Sequence, residues 1–134
     1  MRRKSRNQAG KKDFEISFYE GLIEMNPNFV EALICLGNAY TQKGLFNRGL
    51  EIDLKLSKLR PYDPLVCYNL SCSYSLLNRV EESLSCLKKS ILLGYSDFQY
   101  LAKDRDLENL RSDGRFKKFF SKINKKALSA SKAV

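Results

Sequence analysis

The sequence predicts an all-α fold: an α–α superhelix of about two and a half helix–turn–helix repeats, closed by C-terminal capping helices. Three observations predict it. Apolar residues recur at helical spacing through most of the chain. The chain matches itself when slid by 34 residues. Glycine, proline and an Asn-Arg pair punctuate it at the intervals that pairs of short helices require. The length of 134 residues is material for a single domain, and 43% hydrophobic residues are enough to fill a core and to argue against wholesale disorder.

The repeat rests on particular residues. At that offset Pro27 falls on Pro61, Leu36 on Leu70, Tyr40 on Tyr74, Leu50 on Leu84 and Leu59 on Leu93. Gly37 meets Ser71 and Gly49 meets Ser83, small for small, while Leu33 meets Cys67. One unit therefore occupies 30–63 and the next 64–97. In the first, Leu33, Leu36 and Tyr40 share a helix face, Lys43-Gly44 ends the helix, and a second helix carries Leu50, Leu54 and Leu56 to Leu59. Pro61 and Pro64 mark the exit. In the second, one helix runs from Val66 to Leu77, Asn78-Arg79 turns the chain, and another runs from Val80 to Leu93, with Gly94 closing it. Small residues at 37, 49, 71 and 83 let paired helices approach closely. Helices this short are marginal alone, so stacking must hold them.

Upstream, 13–29 reads as the second helix of a preceding unit, with Pro27 at its exit. The chain thus opens on a half repeat, preceded by a basic tail at 1–12. Downstream, 98–124 reads as a degenerate repeat and cap, followed by a tail at 125–134. Leu107, Leu110, Phe116, Phe119, Phe120 and Ile123 supply the apolar side of the cap, and Lys117, Lys118 and Lys122 its wet side. Asp104 or Asp113 is placed to N-cap the short helices.

Charge is segregated. The chain is formally +9. Arg2, Arg3, Lys4, Arg6, Lys11 and Lys12 at one end, and Arg115, Lys117, Lys118, Lys122, Lys125, Lys126 and Lys132 at the other, are unaccompanied by any acid within 1–12 or 114–134. The body between them is net acidic. The plain reading of such ends is solvated tail; the sharper one is contact with nucleic acid, the ribosome or anionic lipid. No aromatic residue is interleaved in the first twelve positions to stack on a base.

Several function classes lose ground. There is no histidine, hence no ordinary general base and no His ligand for zinc. Cys35, Cys67, Cys72 and Cys86 form no C-x-x-C pair and read as buried small hydrophobes. No run of apolar residues suffices to span a membrane, and the basic start lacks the apolar core of an export signal, so the cytoplasm is the expected compartment. The pair Asp104/Asp106 invites an acid–base or metal reading, but no phosphate loop or nucleophile motif accompanies it. No catalytic, cofactor or metal site is expected.

The residues Leu33, Leu36-Gly37, Tyr40, Gly49 and Pro61, and in the second unit Leu70-Ser71, Tyr74 and Ser83, resemble the signature of the tetratricopeptide-repeat family over about 13–97. Leu33 and Cys67 stand for its usual Trp, Asp53 and Leu87 for its usual aromatic, and Tyr95 for its second Pro. The stretch Gly94-Tyr95, Leu101, Asp104, Asp106-Leu107, Leu110-Arg111, Asp113-x-Arg115-Phe116 is similar to the closing motif of many bacterial arrays of this family, with Gly114 where Pro is usual.

The resemblance implies a right-handed superhelix whose first helices line a concave groove that binds proteins. Mapped by position, the groove residues are Glu31, Ile34, Cys35, Asn38, Thr41 and Gln42, then Leu65, Tyr68, Asn69, Cys72, Ser75 and Leu76, then Gln99, Ala102 and Lys103. That surface reads as nearly uncharged apart from Glu31 and Lys103, with Tyr68 as an aromatic anchor. The expected function is a non-catalytic scaffold or adaptor binding a peptide or partner helix. One alternative is a small RNA- or ribosome-associated protein acting through its charged ends. Another is a chaperone carboxylate clamp, for which Asn38, Asn69 and Lys103 are in place while Ile34 and Gln99 stand where Lys is expected. Self-association through the N-terminal half repeat, by way of Ile16, Phe18 and Leu22, is a further expectation.

Overall fold

A computed structural model describes residues 2–133, with side chains placed over 10–124. Helices α1 (Arg2–Met25), α2 (Val30–Gln42), α3 (Phe46–Leu59), α4 (Pro64–Leu76) and α5 (Val80–Leu92) are followed by α6 (Phe98–Leu101), a 3-10 turn (Arg105–Leu107), α7 (Glu108–Arg111) and α8 (Gly114–Ala133). There is no strand among the described residues. Each of α1 to α4 packs on the next in chain order, and the cap folds back on α4 and α5. This is the all-α helical-repeat architecture that the 34-residue period predicts.

The turns fall where left-handed backbone is needed. Gly44 (φ 85) and Gly94 (φ 117) follow α2 and α5, and Asn78 (φ 57), a residue type that tolerates this region, follows α4. At the opposite ends, Asp63 accepts from the backbone N–H groups of Leu65 and Val66, and Pro64 sits in the first turn of α4, where no N–H is required.

Within each hairpin the small residues sit at the closest approach. A Cβ on Gly49 would stand 3.0 Å from Thr41 Oγ1, and one on Gly37 would stand 3.3 Å from both Asp53 Oδ1 and Ile52 Cγ2. In the second hairpin the Ser71 hydroxyl donates to the Ser83 carbonyl and the Ser83 hydroxyl donates to the Ser71 carbonyl, both at 2.7 Å. Leu33 and Leu56 are buried together with Val66, which ties the first hairpin to the second. Burying a side chain of that size contributes about 2 kcal/mol. Leu84, Leu87, Leu101, Leu107, Leu110 and Phe116 form a second cluster under the cap.

Three expectations about the ends are corrected. From Arg2 to Lys12 the backbone of the basic segment is the first part of α1 rather than a separate tail, and α8 carries the chain to Ala133. The side chains of Arg2, Arg3, Lys4, Arg6, Lys125, Lys126 and Lys132 lie outside the described residues. Ile16 does not sit on an open edge: it is buried against Leu36, Ala39 and Tyr40 of α2. The edge that α1 leaves exposed is Phe14 and Phe18, stacked at 6.4 Å, with Met25. Helical phase explains the exchange, since Ile16, Tyr19 and Ile23 share one face and Phe14, Phe18 and Met25 lie off it. α1 is held by that face, by the Tyr40 hydroxyl donating to Glu20 at 2.8 Å, and by a Lys43–Asp13 ion pair.

Candidate peptide-binding cavity

A cavity of about 510 Å³ opens between α2, α4 and the cap. From α2 come Asn38, Thr41 and Gln42, one turn apart on the face opposite α1. From α4 come Leu65, Tyr68, Asn69, Cys72 and Ser73. α3 contributes Asp53 from below. The fourth wall is the chain after α5: Tyr95, Asp97, Tyr100, Asp104 and Asp106.

Of the residues assigned to the groove from sequence, Asn38, Thr41, Gln42, Leu65, Tyr68, Asn69 and Cys72 line the cavity. Others do not. Glu31 is exposed outside it, and Ile34 packs with Leu33, Leu56 and Val66 where the hairpins meet. Cys35 lies beside the Tyr19 hydroxyl of α1, whose pKa it raises. Ser75 is fully buried, its hydroxyl accepting from the Leu110 N–H at 3.2 Å and its carbonyl from the Asn109 amide at 2.9 Å. Leu76 faces away from the cavity, half-buried. Gln99, Ala102 and Lys103 are exposed and off the cavity, because α6 ends after one turn. Asp104 then takes an extended conformation and caps the following 3-10 turn through the Asp106 N–H, so no third inward helix face exists to present them.

The cavity is also acidic, not nearly uncharged. Asp53, Asp97, Asp104 and Asp106 line it and no Lys or Arg does. Asp53 is 7% exposed and Oδ2 accepts from the Ser73 hydroxyl of the next hairpin. Burial pushes its carboxyl up from the ordinary 3.8 to about 6, against the Ser73 hydrogen bond, which favours the charged form. Asp104 is the hub of the cap. Its Oδ2 accepts the Tyr68 hydroxyl at 2.7 Å and lies 3.7 Å from Cys72 Sγ, and its carbonyl accepts from Arg111. Burial first, and then the neighbouring Asp104, raise the Asp106 carboxyl. Burial and the Asp104 and Asp106 charges hold the Cys72 thiol well above its usual range, which disfavours the thiolate.

Aromatic rings form the floor and lip. Tyr68 and Tyr95 stack at 4.4 Å with planes 14° apart. Tyr100 tilts towards Tyr68 at 6.3 Å and is 55% exposed. Of the lining residues not assigned from sequence, Tyr95, Asp97 and Tyr100 fall one period after Pro61, Asp63 and Val66, so their phase marks an exit, a helix cap and a core position rather than a cavity wall. Asp53 had a signal: an acid where the family pattern has an aromatic residue.

Fold and cavity define the class: an all-α helical-repeat protein with an aromatic, acidic hollow between α2, α4 and the cap. No protein-family model matches the chain. It is similar to a chloroplastic protein of Arabidopsis thaliana, at 33% identity over 106 residues, covering 73% of this chain and 32% of that protein. The chain thus spans about a third of the length of the curated relative it matches. No helix among the described residues is long and apolar enough to cross a membrane.

Proposed function

We propose that the chain is a tetratricopeptide-repeat interaction module without catalysis, a scaffold or adaptor that holds an extended peptide or partner helix in its groove. The observation that carries this reading is the open cavity between α2, α4 and the cap, with the Asn38 and Asn69 amides beside a tyrosine floor. Such an arrangement suits hydrogen bonds to a peptide backbone with one side chain inserted. The four aspartates argue against a chaperone-type carboxylate guest, which would be repelled.

The four cysteines are free thiols. A reducing compartment suits them, and the cytoplasm is our choice; the relative's name assigns that protein to the chloroplast. Self-association belongs to the same proposal, now through the exposed Phe14, Phe18 and Met25 edge. Sedimentation of the full chain at low and high concentration checks it; a strict monomer at both removes it.

The experiment for the groove is selection of peptides from an unbiased displayed library on the full chain, followed by NMR mapping. We expect shifts at Asn38, Asn69 and Tyr100, and a loss of roughly tenfold in affinity for Asn69→Ala with unchanged unfolding temperature. Recovery of no peptide at the cavity overturns the reading. Salt-sensitive RNA binding that disappears with residues 1–12 and 125–134 would favour the rival built on the basic ends.

A further inference from the structure

We infer that the cavity seats a guanidinium group: the guest peptide inserts an arginine side chain between Tyr100 and the acids of the cap. This rests on the groove reading above and specifies what the groove selects.

The first argument is an imbalance of charge. The ion pairs among the described residues are Lys12–Glu15, Lys43–Asp13, Arg79–Glu82 and Arg115–Asp113. None involves Asp53, Asp97, Asp104 or Asp106, so four acids share one hollow with no cation among them, in a chain that is +9 overall. Mutual repulsion of carboxylates in a partly dry site costs stability unless a positive guest relieves it.

The second argument is an acceptor left open. Asp53 is more than nine-tenths buried and lines the cavity, with Oδ2 bonded to Ser73; Oδ1 accepts no hydrogen bond from any described residue. Asp97 uses Oδ1 to cap α6 through the Tyr100 N–H, and its Oδ2 is uncommitted among the described residues, as are both carboxylate oxygens of Asp106. Asp53 Oδ1 lies against Gly37, and no buried side-chain oxygen among the described residues lacks a partner, so the free oxygens of Asp97 and Asp106 are open to solvent and can exchange water for a guest's donor beside a lining that holds neither Lys nor Arg.

The third argument selects the kind of cation. No group of three carboxylates or thiols among the described residues converges as a metal ion would need. The wall instead offers the open ring of Tyr100 beside the stacked Tyr68–Tyr95 pair. A planar guanidinium stacks on such a ring and presents a fork of N–H donors to a carboxylate in the same plane, which a compact ammonium cannot do as well.

The test is an NMR titration of the full chain with acetyl-Gly-Ser-Arg-Ser-Gly-amide and with the same peptide carrying citrulline, which keeps the shape of arginine and loses its charge. We expect shifts confined to Tyr100, Asn69 and their cavity neighbours, roughly tenfold weaker binding for citrulline, and weaker binding for lysine than for arginine. The double variant Asp97→Asn, Asp106→Asn should weaken the arginine peptide by a similar factor while leaving the fold unchanged, since the amide oxygen introduced at position 97 still caps α6. Equal affinity for citrulline, tighter binding of lysine, or arginine-induced shifts away from the cavity each overturn the inference. If library peptides without a basic residue occupy the cavity, the groove reading stands and this inference alone falls. If no peptide of any composition shifts the cavity, both fall.

Discussion

The two complete hairpins solve one packing problem in two ways. In α2–α3, the helices approach because Gly37 and Gly49 have no Cβ to hold them apart. In α4–α5, the corresponding Ser71 and Ser83 have side chains, yet both are fully buried, because each hydroxyl bonds the other's backbone carbonyl. A buried hydroxyl without a partner would be costly; a reciprocal pair turns it into a bridge. The second difference lies one helix turn further along. Asp53 in the first hairpin is matched by Leu87 in the second, and both are buried. Leu87 joins the apolar cluster under the cap, while Asp53 faces Ser73 and the cavity. The lesson is that equal positions in a repeat are packed alike but perform different work when the neighbour on one side is a cap and on the other a cavity.

The sharpest way to break this comparison is to fill the serine bridge. Ser83→Leu should cost about 3 kcal/mol or more in urea unfolding, because the helices would be forced apart. A milder loss would mean the close approach is not what the small residues serve. Converting the second hairpin to the first hairpin's solution, Ser71→Gly with Ser83→Gly, should cost about 2–3 kcal/mol, two hydrogen bonds and two glycine penalties in helix interiors. Cα–Cα spacing between α4 and α5, read by NMR, should stay the same.

Asp53 provides the next test. Its folded pKa is raised above the unfolded value, so the folded chain holds the proton more tightly, and stability falls as pH rises from 3.8 to about 6. Asp53→Asn keeps an acceptor for Ser73 and removes the charge. It should stabilise the chain by about 2 kcal/mol at neutral pH and flatten that part of the stability–pH curve. An unchanged curve would mean the carboxylate is not desolvated. The smallest effect belongs to the half repeat: Tyr40→Phe removes the hydroxyl bonded to Glu20 and should cost about 1 kcal/mol. That hydroxyl's own pKa, pushed up to about 12 by burial and then by Glu20, is the spectroscopic check that the bond exists in solution.

Most of the helical framework was legible in residues with a phase. Leu33, Leu36, Tyr40, Leu70 and the four small residues recur at fixed offsets, and their burial follows from that recurrence. Half of the cavity was legible for the same reason: Asn38, Tyr68 and Asn69 sit on faces the repeat defines. The face of α1 was misread at Ile16, because a lone helix gives no second unit against which to set its phase. Gln99, Ala102 and Lys103 were placed by carrying the repeat phase past residue 97, whereas α6 ends at Leu101 and Asp104 caps a new turn.

By itself, then, the amino-acid order determined that these helices form, where they turn and which stripe of each is hidden, since hydrophobic spacing and turn residues act over a few positions at a time. Only the tertiary structure decided the sign of the hollow. Asp104 and Asp106 come from the cap, Asp97 from the end of the second unit, and Asp53 rises through the joint between hairpins. Their convergence depends on how the cap folds back over α4, a long-range arrangement that no local pattern encodes.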